Sequence, residues 1–125
     1  MSLNSEAFPP NLGKLTLVNF MVDRYVLAVL KTLPKLRKLK MVFCKYNEEK
    51  MDLSGEVNGY SFSQLEVLHI HYPDGLSEVT CTDDISMPKL KRLLLTSVHS
   101  PISLSERLKK LSIYEHLNVL TDLKV

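Results

Sequence analysis

One eight-residue phrase recurs five times along the chain, and it limits the possible folds more than any other feature. Its clearest copy, residues 34–41, reads PKLRKLKM, with apolar residues two, five and seven positions after the proline. The other copies are residues 10–17 (PNLGKLTL), 63–70 (SQLEVLHI), 88–95 (PKLKRLLL) and 106–113 (ERLKKLSI), and all fifteen apolar positions are filled. The leading leucines are Leu12, Leu36, Leu65, Leu90 and Leu108, which are 24, 29, 25 and 18 residues apart. The chain is therefore an array of irregular repeats of one unit.

The spacing within each copy predicts a short strand. Its second and third apolar residues are two apart and so lie on one face of a strand. Connections of a dozen or more residues allow most strands to pair in parallel with the next. Repeats of about 20 to 29 residues with this pattern are leucine-rich repeats. We predict an α/β fold, a leucine-rich-repeat solenoid of about five repeats, with short parallel strands on its concave face and helix or irregular loops on its convex face.

The same pattern sets the domain organisation. We expect residues 1–125 to form a single leucine-rich-repeat domain, with repeats starting near residues 10, 34, 63, 88 and 106. Neither end carries an atypical polar repeat that would cap the apolar layer, so the chain is interpreted as a piece of a longer array.

The first connection between strands predicts a helix. Asp23 can cap it, and Val26, Leu27, Leu30 and Leu33 fall on one helical face. The second connection, from Lys45 to Ser61, contains two glycines and several acids and is predicted to be an irregular loop.

Charge, apolar runs and cysteine content limit the possible partners and the cellular compartment. A formal charge of +2 over 125 residues gives no argument for nucleic acid. The longest apolar run is too short to span a bilayer, and the first residues lack the pattern of a signal peptide. Cys44 and Cys81 lie in different repeats, and no Asn-x-Ser/Thr sequence occurs, which favours a reducing, cytoplasmic setting with buried thiols.

The alternation also predicts which side chains point away from the core. The first outward column is Lys14, Lys38, Val67, Arg92 and Lys110; the second is Thr16, Lys40, His69, Leu94 and Ser112; the third is Val18, Val42, His71, Thr96 and Tyr114. We predict a protein-binding face formed by Lys14, Lys38, Lys40, His69, His71, Arg92, Lys110 and Tyr114. Four of the five residues in the first column are basic, which suits a partner with an acidic surface. The alternative is that these lysines and arginines only keep an exposed sheet in solution.

The sequence gives little support for a metal site or a catalytic nucleophile. His69 and His71 are two apart on one strand, but no third ligand lies at a fixed spacing, and zinc needs three or four. There is no Gly-x-Ser-x-Gly elbow and no Gly-x-x-x-x-Gly-Lys-Ser/Thr phosphate loop. The sequence thus predicts a non-enzymatic protein without a cofactor or metal.

Two copies carry a family resemblance. Phe8-Pro9-Pro10-Asn11-Leu12 and Leu33-Pro34-Lys35-Leu36 resemble the C-terminal leucine-rich repeats of plant intracellular disease-resistance proteins of the coiled-coil nucleotide-binding type, as does Phe62-Ser63-Gln64-Leu65 after its long loop. The resemblance implies repeats that recognise a pathogen effector, restrain the nucleotide-binding domain of the parent receptor, or both. The family usually has Asn or Cys at the ninth repeat position, and in this chain only Cys44 matches.

The sequence leaves two other functions open. F-box adaptors of ubiquitin ligases in plants also carry irregular leucine-rich repeats that bind substrates. The chain could also be a truncated paralogue without independent function.

Overall fold

A computed structural model describes residues 8–55, 61–83, 85–97 and 102–116, the last six by their backbone alone. Within these residues the chain forms ten strands and two helices. The elements are β1 (Lys14–Val18), β2 (Met21–Val22), α1 (Arg24–Lys31), β3 (Lys38–Val42), β4 (Lys45–Tyr46), β5 (Lys50–Asp52), β6 (Val67–His71), β7 (Glu78–Thr80), β8 (Arg92–Ser97), β9 (Ser103–Leu104), α2 (Glu106–Leu111) and β10 (Ser112–His116). None of the helices in these ranges is long and apolar enough to cross a membrane.

The main sheet contains five parallel strands in the order β1-β3-β6-β8-β10. The first four pair in the register that the repeats predict, so that Leu15, Leu39, Leu68 and Leu93 stand side by side. The next inward row is Leu17, Met41, Ile70 and Leu95, all buried. The prediction of a leucine-rich-repeat solenoid with parallel strands in sequence order is confirmed.

The fifth repeat differs from its prediction. Its strand begins only at Ser112, which pairs with Leu93, whereas the repeat alignment placed Leu111 there. Residues 106–111 form α2 instead, so Lys110 lies on a helix and not in the sheet. The helix is favoured because Glu106 lies in its first turn and Lys109 and Lys110 in its last, where each charge complements the helix dipole. Leu108 is still fully buried, as a leading leucine should be.

Helix α1 follows its prediction closely. The Asp23 side chain accepts a hydrogen bond from the Val26 backbone N–H at 2.8 Å and so caps the helix. Val26, Leu27 and Leu30 are buried, and Leu33 is buried just after the helix ends. This face and the inward row of the main sheet share one core, in which each fully buried leucine contributes about 1.5–3 kcal/mol.

The connections also contain two small parallel sheets, β2-β4 and β5-β7-β9. The prediction of an irregular loop from Lys45 to Ser61 is therefore wrong for β4 and β5. The strands form because Met51 and Leu53 are buried while Lys50 and Asp52 between and beside them stay exposed. Segments of two or three residues are too short for their alternation to be recognised in the sequence.

Candidate functional site

The outward side of β1, β3, β6 and β8 presents three columns of side chains in register. The columns are Lys14, Lys38, Val67 and Arg92; then Thr16, Lys40, His69 and Leu94; then Val18, Val42, His71 and Thr96. We call these twelve residues the sheet face. The predicted columns are thus correct across four strands, because the inward leucines fix the register and a slip of one residue would expose all of them.

The sheet face is basic. Lys14, Lys38, Lys40 and Arg92 are exposed, and none of the twelve residues is acidic. In the part of the chain that the structure describes, no carboxylate forms an ion pair with any of these four cations. Lys14 and Lys38 lie directly opposite each other on strands about 4.8 Å apart. Among the described residues, these positive charges therefore stand together without an ion-pair partner.

His69 and His71 lie together on the sheet face. Their rings meet edge to face with centroids 5.2 Å apart, and His71 Nε2 lies 3.4 Å from His69 Nδ1. His71 Nδ1 also lies 3.1 Å from the Thr96 hydroxyl. Burial lowers the pKa of His69, and the nearby charges of His71, Lys40, Arg92 and Lys38 lower it further. Both effects favour the neutral form of His69.

The histidine pair does not extend into a metal site within the described ranges. No group of three His, Cys, Asp or Glu side chains there has a geometry that could hold a metal ion. His71 contacts the Thr96 hydroxyl, and Lys40, Arg92 and Lys38 are close enough to lower the pKa of His69. Such positive charges beside the histidines would repel a cation.

Two predicted site residues are not part of the described sheet face. Lys110 lies on α2, outside the sheet columns. Tyr114 is on β10 and pairs with Leu95 rather than with Thr96, and its side chain lies outside the described part of the structure. The described site therefore consists of Lys14, Lys38, Lys40, His69, His71 and Arg92.

The structure adds two residues that the sequence reasoning did not find, Phe43 and Tyr72. Each directly follows a strand of the main sheet, and their rings are stacked with centroids 5.0 Å apart. Their spacing in the sequence could have indicated this placement. Both residues lie seven positions after a leading leucine, and so beside the third outward column.

Cys44 occupies the ninth repeat position and has the structural role expected there. Its Sγ lies 3.5 Å from the Leu17 carbonyl oxygen on the preceding repeat, to which it donates a hydrogen bond. Burial raises the pKa of the thiol, which keeps it protonated. Cys44 therefore connects two repeats as a buried, protonated thiol.

A cavity of about 420 Å³ lies on the other side of the molecule, between α1, β4 and β5. Its rim carries Arg24 and Glu48, whose side chains pair at 2.9 Å. Opposite charges at this rim neutralise each other, so the cavity has less to attract a charged partner than the sheet face has.

Comparison with known proteins gives sequence relatives only. No protein-family model matches the chain, and no solved structure matches it. Over 112 residues, 90% of the chain, it is 82% identical to ToMV resistance protein Tm-2(GCR236) of Solanum lycopersicum and 81% identical to ToMV resistance protein Tm-2(2) of the same species. The chain belongs to the leucine-rich repeats of plant nucleotide-binding disease-resistance proteins.

The match covers only part of these relatives. It spans 13% of the length of each resistance protein. The ToMV susceptible protein tm-2 of the same species is also 82% identical over 112 residues. Overall identity in this segment therefore does not separate the relatives named as resistant from the one named as susceptible.

Proposed function

We propose that this chain is a non-enzymatic recognition segment of a plant immune receptor in the cytoplasm, and that its sheet face binds an acidic protein surface. The observation that carries the proposal is the group of four exposed cations, Lys14, Lys38, Lys40 and Arg92, with no carboxylate among the outward residues of their strands. Two kinds of partner fit this chemistry. One is a pathogen effector, and the other is the nucleotide-binding domain of the parent receptor, which the repeats would restrain.

The resistance relatives favour an immune receptor over the F-box adaptor, because their names connect them with a virus and with resistance. A solenoid of this kind is also typically a binding scaffold and not an enzyme. Its open sheet offers a broad surface, whereas a small substrate needs an enclosed site.

Charge reversal on the sheet face tests the proposal. We expect Lys38→Glu with Arg92→Glu to weaken binding several-fold, since each exposed charge pair contributes about 0.2–1 kcal/mol. The effect should appear mainly as slower association and a weaker dependence on salt. Suitable probes for biolayer interferometry are the nucleotide-binding region of the tomato relatives and the proteins encoded by ToMV.

The matched control is Lys45→Glu with Lys50→Glu. It makes the same change in net charge, but on strands β4 and β5 of the two smaller sheets. Binding should then change little. Equal losses from the two double variants would mean that only total charge matters, and the sheet face would have to be abandoned as the binding surface.

A further inference from the structure

Three residues at equivalent repeat positions share an unusual backbone conformation. Asn19, Phe43 and Tyr72 directly follow β1, β3 and β6 and have φ values of 55°, 53° and 52°. Each backbone N–H donates to a carbonyl of the next strand: Asn19 to Val42 at 3.0 Å, Phe43 to His71 at 3.0 Å and Tyr72 to Thr96 at 2.7 Å. The hydrogen bonds between strands thus hold these three residues in the left-handed region.

The residue types at these positions differ in how well they tolerate that conformation. Asparagine adopts it readily, but for a bulky aromatic residue it is a strained outlier. Burial does not explain the choice of phenylalanine, because 52% of Phe43 is exposed. An exposed ring in a strained conformation is a feature that residues at binding sites often show.

The ring of Phe43 is part of a continuous row. It stacks on Tyr72 with an angle of 14° between the planes, and the Tyr72 ring lies 6.3 Å from that of His71. His71 in turn meets His69, whose strand neighbour is Lys40. Val18, which is 55% exposed, adds an aliphatic surface, since it pairs with Val42 just before Phe43. An apolar surface at the carboxyl end of the strands therefore adjoins the basic columns.

We infer that Phe43, Tyr72 and Val18 form the apolar anchor site for an acidic protein segment, which places one aromatic side chain on the Phe43 ring and its carboxylates along Lys38, Lys40 and Arg92. The inference rests on the proposed function and deepens it. Aromatic anchors in the middle of an interface commonly carry more binding energy than the charges around them. The cations at one side of the aromatic row select a segment with acidic residues beside its aromatic residue.

The neighbours of the ring favour a protein segment over single-stranded nucleic acid. Nucleic acid would stack successive bases on several exposed rings along a basic groove. Here Phe43 is the ring exposed on the outside of the row, Tyr72 and the histidines are half-buried, and the adjoining surface is valine.

The test uses two peptides of Asp and Glu, one with a central Trp and one with Ala in its place, and measures their affinity for the full chain by fluorescence anisotropy or calorimetry. The main variant is Phe43→Asn, which removes the ring but introduces the residue that stands at the equivalent position 19. We expect the Trp peptide to bind about tenfold more tightly than the Ala peptide, and Phe43→Asn to abolish that difference. Phe43→Tyr keeps a ring and should retain the binding.

Salt separates the two contributions. At about 1 M salt the screening length falls to about 3 Å, so the contribution of the basic columns should be lost while the difference made by Phe43 persists. Tyr25→Ala is the matched control, because Tyr25 is an exposed ring on α1, away from the sheet face. It should leave the affinity for both peptides unchanged.

Each result has a distinct meaning. Equal binding of the two peptides, weakened by Lys38→Glu with Arg92→Glu but not by Phe43→Asn, would overturn the anchor and leave the proposed function intact. Failure of both peptides to bind would overturn both. Tighter binding of a single-stranded oligouridylate, lost with Phe43→Asn, would replace the protein partner with nucleic acid.

Discussion

Leu68→Ala tests the packing on which the sheet face depends. Leu68 has no exposed surface and lies on β6, between the buried Leu39 of β3 and Leu93 of β8. The substitution removes three buried carbon atoms, which at about 0.8 kcal/mol each corresponds to about 2.4 kcal/mol of lost burial. Hydrogen bonds to strands on both sides keep the surroundings from collapsing, so a cavity remains and adds to this cost. We expect a loss in the free energy of unfolding of about 3–5 kcal/mol.

Leu94→Ala is the matched control, because it makes the same substitution one residue further along the adjacent strand. Leu94 pairs with His69 and is only partly buried on the outward side, so its loss should cost about 1 kcal/mol or less. Urea unfolding followed by circular dichroism gives both values from the midpoints, provided that the slope is unchanged. Equal costs, or a larger cost at Leu94, would mean that the strand register is shifted by one residue and that the sheet face is wrongly assigned.

Two further predictions concern the backbone and pH. Gly75→Ala should lower the free energy of unfolding by about 1–3 kcal/mol, because Gly75 has φ +91° and an added Cβ would lie 2.6 Å from the Tyr46 carbonyl oxygen. Gly13→Ala is the control, since its added Cβ would have its nearest neighbour at 3.8 Å. In the same urea experiment it should be neutral or slightly stabilising. Burial and nearby positive charges lower the pKa of His69 from 6.5, so the unfolded chain binds the proton more readily and stability should fall as the pH drops below about 6.5. Lys40→Met should weaken this dependence in urea midpoints measured across that range, and an unchanged dependence would show that Lys40 does not act on His69.

The main sheet could be predicted from the sequence because two independent patterns agree. The recurrence of the leading leucines gives the repeat, and the alternation within each copy gives the inward face of the strand. Together they fix the register, and through it the positions of Lys14, Lys38, Lys40 and Arg92 on the sheet face. Helix α1 was equally clear, since its cap and apolar face occur together.

The fifth strand and the stacking of Phe43 on Tyr72 could not be predicted from the repeat pattern. In the fifth copy the same leucine spacing is compatible with a helix as well as a strand, and the charges at the two ends of residues 106–111 favour the helix. The stacking of Phe43 on Tyr72 depends on a left-handed conformation that neither aromatic residue prefers. Hydrogen bonds between strands impose that conformation, so the residue type alone did not indicate it.

The two sides of the main sheet differ in what a substitution does. Inward residues such as Met41 and Ile70 have no exposed surface, so most changes there are costly. Exposed outward residues such as Lys38 and Arg92 belong to no ion pair among the described residues, so the fold tolerates their replacement. Under the proposed function, recognition would therefore change through a few outward residues while the repeat stays intact. Overall identity does not measure such changes, because it does not distinguish differences on the sheet face from differences elsewhere, and a relative named as resistant and one named as susceptible are each 82% identical to the chain.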